Sequence, residues 1–423
     1  SVIYKYAKEG LIVPLDDYIE NATINIKKWM NDYDEFRALS TYPDGHIYAL
    51  PAIDENQNIR VDKILYINQS YLDKLGMDMP ATLDEFGEYL RQATSRDLNG
   101  DGKNEYGLSF EALQNAPSIY TYLFGLFGVS WDTRSYMHSE EGTTQLQFAP
   151  AMEETRKALE YFHEWYEEGL LDPENFTQSS TQLKAKAKTE GVAASVVFWY
   201  LDLNDGDESM NEYRVMNLPE GPDGNQVWRR NGLIPGYVGN QFFITSANEH
   251  PAETLAFIDW WMDNSENALT NRFGPKGYSW DYLENGKWTE LANIPSGEPR
   301  TMENSTLYAT WGYGIPYWCF GDFWAEKEIT AETALERQGA LNESYMKVAA
   351  PGLPELVYEE DENREALNIK TDLFKYVDSQ LAQFITNGVT DESWDAYIKK
   401  MKDLQADRWA ELYQKYYNIM MES

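Results

Sequence analysis

The sequence predicts an α/β protein with largely parallel sheets covered by helices. Two observations carry this. Short β-rich runs alternate with amphipathic helical runs from the N-terminus to about residue 260, after which helices dominate. No segment repeats at a fixed period, which argues against a solenoid or propeller. A chain of 423 residues is long enough for two or three domains and a sizeable core. No low-complexity linker divides it, so two lobes would share several crossings.

The elements follow in order. "YAKEGLIVPLDDYI" reads as a short helix ending near Gly10 and then an extended segment. "DGHIYALPA" turns at Asp44-Gly45 and enters a strand. "KILYIN" is β-rich, and "QSYLDKLG" is a short helix stopped by Gly76. "MPATLDEFGEYLRQAT" carries a capping box, Thr82 with Glu85, followed by Phe86, Leu90 and Ala93 on one helical face. "EYGLSF" is a strand. "AMEETRKALEYFHEWYEEGLL" is amphipathic through Met152, Thr155, Leu159, Phe162 and Tyr166, and Gly169 ends it. "GVAASVVFWY" and "GNQFFITSA" are strands, and "HPAETLAFIDWWM" is a helix with Pro251 in its first turn. The long C-terminal helical region includes one helix with Thr390 as N-cap and Asp391 and Glu392 in the first turn.

Composition excludes several functions. The formal charge is −35, which repels phosphate backbones and makes nucleic acid an unsuitable partner. No run approaches the ~20 apolar residues of a membrane-spanning helix. The one cysteine, Cys319, allows no internal disulfide. Ser1 is not a start methionine and no signal segment precedes it, so the expectation is a processed or truncated N-terminus. No G-x-S-x-G elbow, P-loop or G-x-G-x-x-G after a strand is present. "HEWYE" begins like a zinc motif but has Glu167 where the second histidine belongs. With 70 Asp and Glu residues, acidic pairs do not point to a glycosidase by themselves. The aromatic content is high, with 14 Trp, 30 Tyr and 17 Phe, enough to supply both a core and rings that stack on sugar faces.

"DLNGDGKNEYG" is the clearest chemical motif. Asp97, Asn99 and Asp101 occupy the first, third and fifth positions of a calcium loop, and Gly102 the sixth. Lys103 would offer its carbonyl at the seventh. The twelfth position is Leu108 rather than Glu, so this is not an EF-hand, and Glu105 at the ninth is the natural substitute ligand. The loop joins a helix to a strand, which makes it a structural clip for Ca2+ rather than a reaction centre. The alternative is an Asn/Gly-rich surface turn with no metal.

These stretches, in this order, resemble the extracellular solute-binding proteins of bacterial ABC importers, family 1, along nearly the whole chain. "YPDGHIYALP", "ILYINQSYLDKLGMDMPATLDEF" and "DLNGDGKNEYG" are similar to the family's first lobe. "ALEYFHEWYEEGLLDPENFTQ" is similar to its second-lobe helix and loop, and "NLPEGPDGN", "HPAETLAFIDWWMDNSENALTNRFGPKGYSWDYLENGKW" and "FITNGVTDESWDAYIKKMKDL" also fit. The D-x-N-x-D-G-x-x-E loop resembles that of alginate- and fructo-oligosaccharide-binding proteins and Gram-positive lipoprotein relatives, in which it holds a structural calcium. There are two departures: the strand, helix and second strand that precede "YAKEGLIVPLDDYI" in the family are absent, and "GPKGYSW" replaces the usual "GIEGVHY".

The resemblance implies a two-lobe periplasmic-binding-protein-like fold of type II, its first lobe lacking its N-terminal strands. Lobe 1 is expected to span 1–112 and 233–299, and lobe 2 to span 113–232 and 300–423, with a helix-rich C-terminus. It implies capture of an oligosaccharide by hinge closure, delivery to permease subunits, a monomer, and a lipid anchor in the full-length precursor on the outer face of the membrane, or a periplasmic location. Candidate ligand residues lie on loops after strands. They are Asp54, Asn56, Gln57 and Arg60; Trp131; Trp199, Tyr200 and Asp202; and Trp311, Tyr313, Tyr317 and Trp318 in "WGYGIPYWCFGDFW", which reads as a loop. Trp260, Trp261, Trp394 and Trp409 sit on helices, where a core role is expected. The alternatives are a glycoside hydrolase and a binder of a non-sugar solute such as a peptide. The acidic surface makes a polyuronate the less suitable sugar.

Overall fold

The computed structural model describes residues 2–55, 61, 63–112, 119–131, 133–139, 143–197, 203, 212–230, 238–263, 266–291, 318–319, 321–328, 332–350 and 352–422. The strands of its two principal sheets are β1 (Ala49–Asp54), β2 (Ile64–Asn68), β3 (Tyr106–Leu108), β4 (Val192–Val197), β5 (Tyr213–Val215), β6 (Val238–Phe243) and β7 (Trp318–Cys319).

The first lobe is built on the sheet β7-β1-β6. β1 pairs parallel to β7, Asp54 opposite Cys319, and antiparallel to β6 with a register shift between Leu50 and Ala52. β1 is buried along its whole length, and its apolar face joins Leu15, Ile26, Phe36, Leu255, Ile258 and Trp318 in one core. The second lobe is built on β3-β4-β2-β5. β2 and β4 are antiparallel, Ile64 opposite Val197, and both are wholly buried. β3 runs parallel to β4, and β5 antiparallel to β2. A larger core covers this sheet, drawing on the helices Leu83–Thr94, Glu153–Glu167 and Glu360–Asn387.

Local chemistry places several helices where the sequence predicts, but Asp16–Ala22 is a helix where the segment after Gly10 reads as extended. Thr82 and Glu85 form the reciprocal capping box, and Thr390 caps the helix Asp391–Asp403. Gly76 ends its helix in the left-handed region at φ 66°. Both sheets are mixed rather than largely parallel. Hairpin-like antiparallel partners for β2 come from segments more than a hundred residues downstream, a pairing that local sequence does not encode.

The lobe boundaries also differ from expectation. β2 and β3 share a sheet with β4, so residues 64–108 lie in the second lobe rather than the first. β7 and the helix Gly321–Ala325 return to the first lobe. Glu55 and Val61, Arg230 and Val238, and Glu328 and Glu332 thus fall on different lobes, and the residues between each pair lie outside the described residues. A seam joins the lobes as well. Leu39 packs against both cores, and the helix Asp34–Ser40 lies beside the helix Ala406–Met421. None of the described helices is long and apolar enough to cross a membrane.

Candidate functional site

Polar side chains cluster at the strand ends of each lobe. β1 ends at Asp54, which is 1% exposed and accepts Arg272 Nη2 at 3.2 Å. Next in the chain, Glu55 donates its N–H to the Cys319 carbonyl at 2.8 Å, and its Oε2 accepts the Gly321 N–H at 2.7 Å. Burial pushes the Cys319 thiol well up, with the Asp54 charge adding to it, so the sulfur here is a packing group. On the second lobe Lys63 precedes β2, and its ammonium lies 3.1 Å from Glu111, which follows β3. The Trp228 indole donates to the Lys63 carbonyl at 2.8 Å. Beside it the Arg229 guanidinium stacks 3.9 Å above the Tyr122 ring, bonds the Tyr122 hydroxyl and reaches the Trp131 carbonyl at 3.5 Å. The arrangement offers donors, acceptors and aromatic edges, but among the described residues it contains no nucleophile–base pair.

The sequence candidates divide three ways. Asp54 lies at a strand end, as expected. Trp131 and Trp318 do not form open platforms. Trp318 is fully buried, edge-on to Trp29 at 4.9 Å and Phe36 at 4.8 Å, with its indole N–H on the Pro51 carbonyl at 2.7 Å. It belongs to a strand and a core, because pairing with β1 turns the ring inward. Trp131 is 2% exposed and packs against Phe124 at 5.4 Å. Asn56, Gln57, Arg60, Trp199, Tyr200, Asp202, Trp311, Tyr313 and Tyr317 lie outside the described residues. Of the helical tryptophans, Trp394 and Trp409 are buried as expected, Trp261 is half-buried, and Trp260 is 53% exposed, contrary to expectation. Sequence reasoning missed Arg272, Lys63, Glu111 and Arg229. The "WRR" run at Trp228–Arg230, cationic in a strongly acidic chain, was the available signal for one of them.

The oxygen-rich loop is tightly self-bonded. Asp97 accepts the N–H groups of Gly100 at 2.6 Å and Gly102 at 2.9 Å. Asn99 accepts from Asp101, and Asp101 from Lys103. Gly100 and Gly102 have φ near +90°, a conformation that glycine permits without strain. Glu105 turns inward, 4% exposed, accepting Leu98 and Asn99 N–H groups at 2.6 and 2.7 Å and the Tyr71 hydroxyl at 3.0 Å. Burial raises its carboxyl above the usual carboxylate range against the pull of those donors. Among the described residues no three His, Cys, Asp or Glu side chains gather closely enough to hold a metal. The donor set itself fits a hard cation: alternate oxygens on a glycine turn, each carboxylate with more lone pairs than these bonds use.

Two sheets built from interleaved segments of one chain, each with its own core, define a bilobal binding-protein fold. The profile of the bacterial extracellular solute-binding protein family matches residues 2–268, and the chain belongs to that family. It is 26% identical over 432 residues to the fructooligosaccharide ABC transporter substrate-binding protein FusA of Streptococcus pneumoniae, covering 98% of this chain and 77% of FusA. It is 24% identical over 312 residues to lipoprotein LipO of Bacillus subtilis, covering 68% and 56% of the two chains. FusA solved in complex with kestose superposes with a TM-score of 0.77 at 23% identity, covering 98% of this chain and 85% of that one. Alginate-binding protein AlgQ2, solved without calcium ion, gives 0.71 at 19%, covering 98% and 83%. An EF-hand mutant of FusA has also been solved.

Proposed function

We propose that the protein captures oligosaccharides between its lobes and delivers them to the permease of an ABC importer, binding them without altering a bond. The observation that carries this reading is the bilobal fold, with polar side chains at the strand ends of each lobe, in a chain that belongs to the bacterial extracellular solute-binding proteins. A hinged pair of lobes closes when a ligand touches both, and the closed state gains the affinity. The ion pairs at the strand ends favour an uncharged sugar. Arg272 meets Asp54, and Lys63 meets Glu111, so these two cations are already matched by carboxylates. Aromatic faces and neutral hydrogen bonds then carry recognition. Support for a fructose-type oligosaccharide comes from FusA, described as a fructooligosaccharide transporter's binding protein.

Calorimetric titration with kestose and nystose, beside alginate oligomers, tests the reading. Binding of the neutral sugars is expected, with no new reducing ends after prolonged incubation. Turnover would move the protein to the glycosidase reading. Binding of peptides alone would remove the sugar.

Within the same reading, Asp97, Asn99, Asp101, the Lys103 carbonyl and Glu105 hold Ca2+ as a clip between the helix Leu83–Thr94 and β3. Calcium there supplies positive charge to the loop oxygens and no chemistry. An EF-hand mutant of FusA and a calcium-free form of AlgQ2 among the similar structures support this. A melting temperature that falls with EDTA and returns with Ca2+ is expected; no change, with no metal by elemental analysis, would overturn it. The protein works as a monomer outside the cell, lipid-anchored like LipO or periplasmic.

A further inference from the structure

The geometry points to a self-modification site at Asn99–Gly100: the Gly100 nitrogen closes on the Asn99 side chain, expels ammonia, and leaves an aspartyl or isoaspartyl residue at position 99. This goes beyond the transport reading and needs neither a sugar nor a permease. Both residues are exposed. Nothing lies within 4 Å of the point where a β-carbon on Gly100 would stand, so the turn is open to water on that side.

The reacting groups and their helpers meet in one loop. The nucleophile is the Gly100 nitrogen, whose proton faces Asp97 Oδ1 at 2.6 Å. The electrophile is the Asn99 carboxamide carbon, whose Oδ1 accepts the Asp101 N–H at 2.9 Å. A carboxylate beside the attacking nitrogen serves as base, and a donor on the oxygen that gains charge stabilises the addition. Glycine completes the set, because no side chain shields the attacking nitrogen.

As the Gly100 nitrogen bonds to Asn99 Cγ, its proton passes to Asp97. The Cγ–Nδ2 bond then breaks, and ammonia leaves with that proton. Water opens the resulting cyclic imide at either carbonyl. Opening at Cγ leaves an ordinary aspartate and adds a carboxylate to the loop. Opening at the backbone carbonyl leaves an isoaspartate, with an extra methylene in the main chain. That product breaks the alternate spacing of oxygens on which a cation-binding turn depends.

Two other Asn–Gly pairs among the described residues separate the contribution of Asp97 from that of the dipeptide. At Asn285, Oδ1 likewise accepts a backbone N–H, from Lys287 at 3.0 Å, and both residues of the pair are exposed. There, however, the Gly286 nitrogen donates to the Leu283 carbonyl at 3.0 Å. At Asn387, the Gly388 nitrogen donates to the Phe384 carbonyl at 2.9 Å, at the end of a helix. An amide carbonyl is a far weaker base than a carboxylate, so neither pair has a group placed to take the proton.

The test is incubation of the folded protein at neutral pH in EDTA, which keeps the loop oxygens free of any cation. Peptide mapping by mass spectrometry follows the amide-to-acid conversion at Asn99, Asn285 and Asn387, with a parallel incubation in urea. In urea the three pairs are expected to react at similar rates, because only the local sequence acts. In the folded protein Asn99 is expected to react about tenfold or more faster than the other two. Asp97→Asn, which keeps an acceptor but removes the base, is expected to bring Asn99 down to the Asn285 rate. Should that variant not fold, the comparison of the three pairs within the wild type decides. Equal rates at the three pairs in the folded protein, or an Asn99 rate unchanged in folded Asp97→Asn, would overturn the inference.

Discussion

The Asp259 carboxylate caps a helix that begins 234 residues earlier, at Asn25, accepting the Ile26 N–H at 2.7 Å. Its second oxygen takes the N–H groups of Ile24 at 2.9 Å and Asn25 at 3.2 Å. Asp259 sits on the helix Pro251–Trp261 and is 5% exposed. One buried side chain thus satisfies the first donors of the helix Asn25–Asp32, whose own N-cap position, Ile24, has no side-chain acceptor. Asp259→Ala is expected to destabilise the protein by about 2 kcal/mol, combining a lost cap with buried unsatisfied donors. Asp259→Asn, which keeps one acceptor, should lose about half as much. Urea midpoints measure both, and an Ala variant as stable as wild type would refute the account.

Lys186 and Asp172 form a buried pair at 2.5 Å, 5% and 0% exposed. Burial opposes the ammonium charge, but Asp172 and Glu174 outweigh it and leave the group above its ordinary range. Asp172 also accepts Ser109 and Gln178, which pins the Leu170–Gln178 segment to the end of β3. Lys186→Met is expected to cost about 3–5 kcal/mol, because it strands the Asp172 charge in the core. The double variant Lys186→Met with Asp172→Asn should recover part of that loss. A cycle with no coupling between the two sites would count against the pair.

Burial raises the Asp378 carboxyl from 3.8 to about 6, although the Tyr136 hydroxyl donates to it. Here the folded value is above the unfolded one, so the folded state binds the proton more tightly. Stability from this group is fully present below about pH 4 and is lost as pH rises through about 6. Asp378→Asn should therefore gain on wild type above about pH 6 and flatten the slope between those values. Chemical denaturation across pH 4.5 to 8 (roughly the window of interest) reads this out. A slope unaltered by the substitution would dismiss Asp378 as its source.

Gly191 touches the oxygen-rich loop from behind. Its φ is +80°, and a Cβ there would lie 1.6 Å from Glu105 Oε2. Gly191→Ala should cost about 1–3 kcal/mol from backbone strain alone. It should also abolish the EDTA-sensitive part of the melting temperature, since Glu105 must move. A variant that keeps the full calcium response would separate Glu105 from the metal.

Trp318 and Trp260 show where sequence reading stopped. An irregular, aromatic-rich stretch suggested that Trp318 lies on a surface loop, yet pairing of Ile53 with Trp318 turns the ring onto Trp29 and Phe36. Helical context suggested that Trp260 is core, yet the helix buries Leu255, Ile258 and Asp259 and leaves Trp260 outward. A side chain's burial depends on which face meets another element, and that partner lies far away in sequence. The same holds for Arg272 with Asp54 and Arg337 with Val61, separated by 218 and 276 positions.

By itself the sequence determined most of the longer helices, the caps at Thr82 and Thr390, the Gly76 stop, strands such as Ile64–Asn68 and Val192–Val197, the alternating oxygens of the Asp97–Glu105 loop and the family. Each of these depends on residues a few positions apart, where backbone sterics and hydrogen bonding leave few options. Tertiary structure alone decided which strands share a sheet, which tryptophans are buried and which charges pair at the strand ends. Those outcomes are comparisons of free energy among many long-range pairings, and no local window contains their terms.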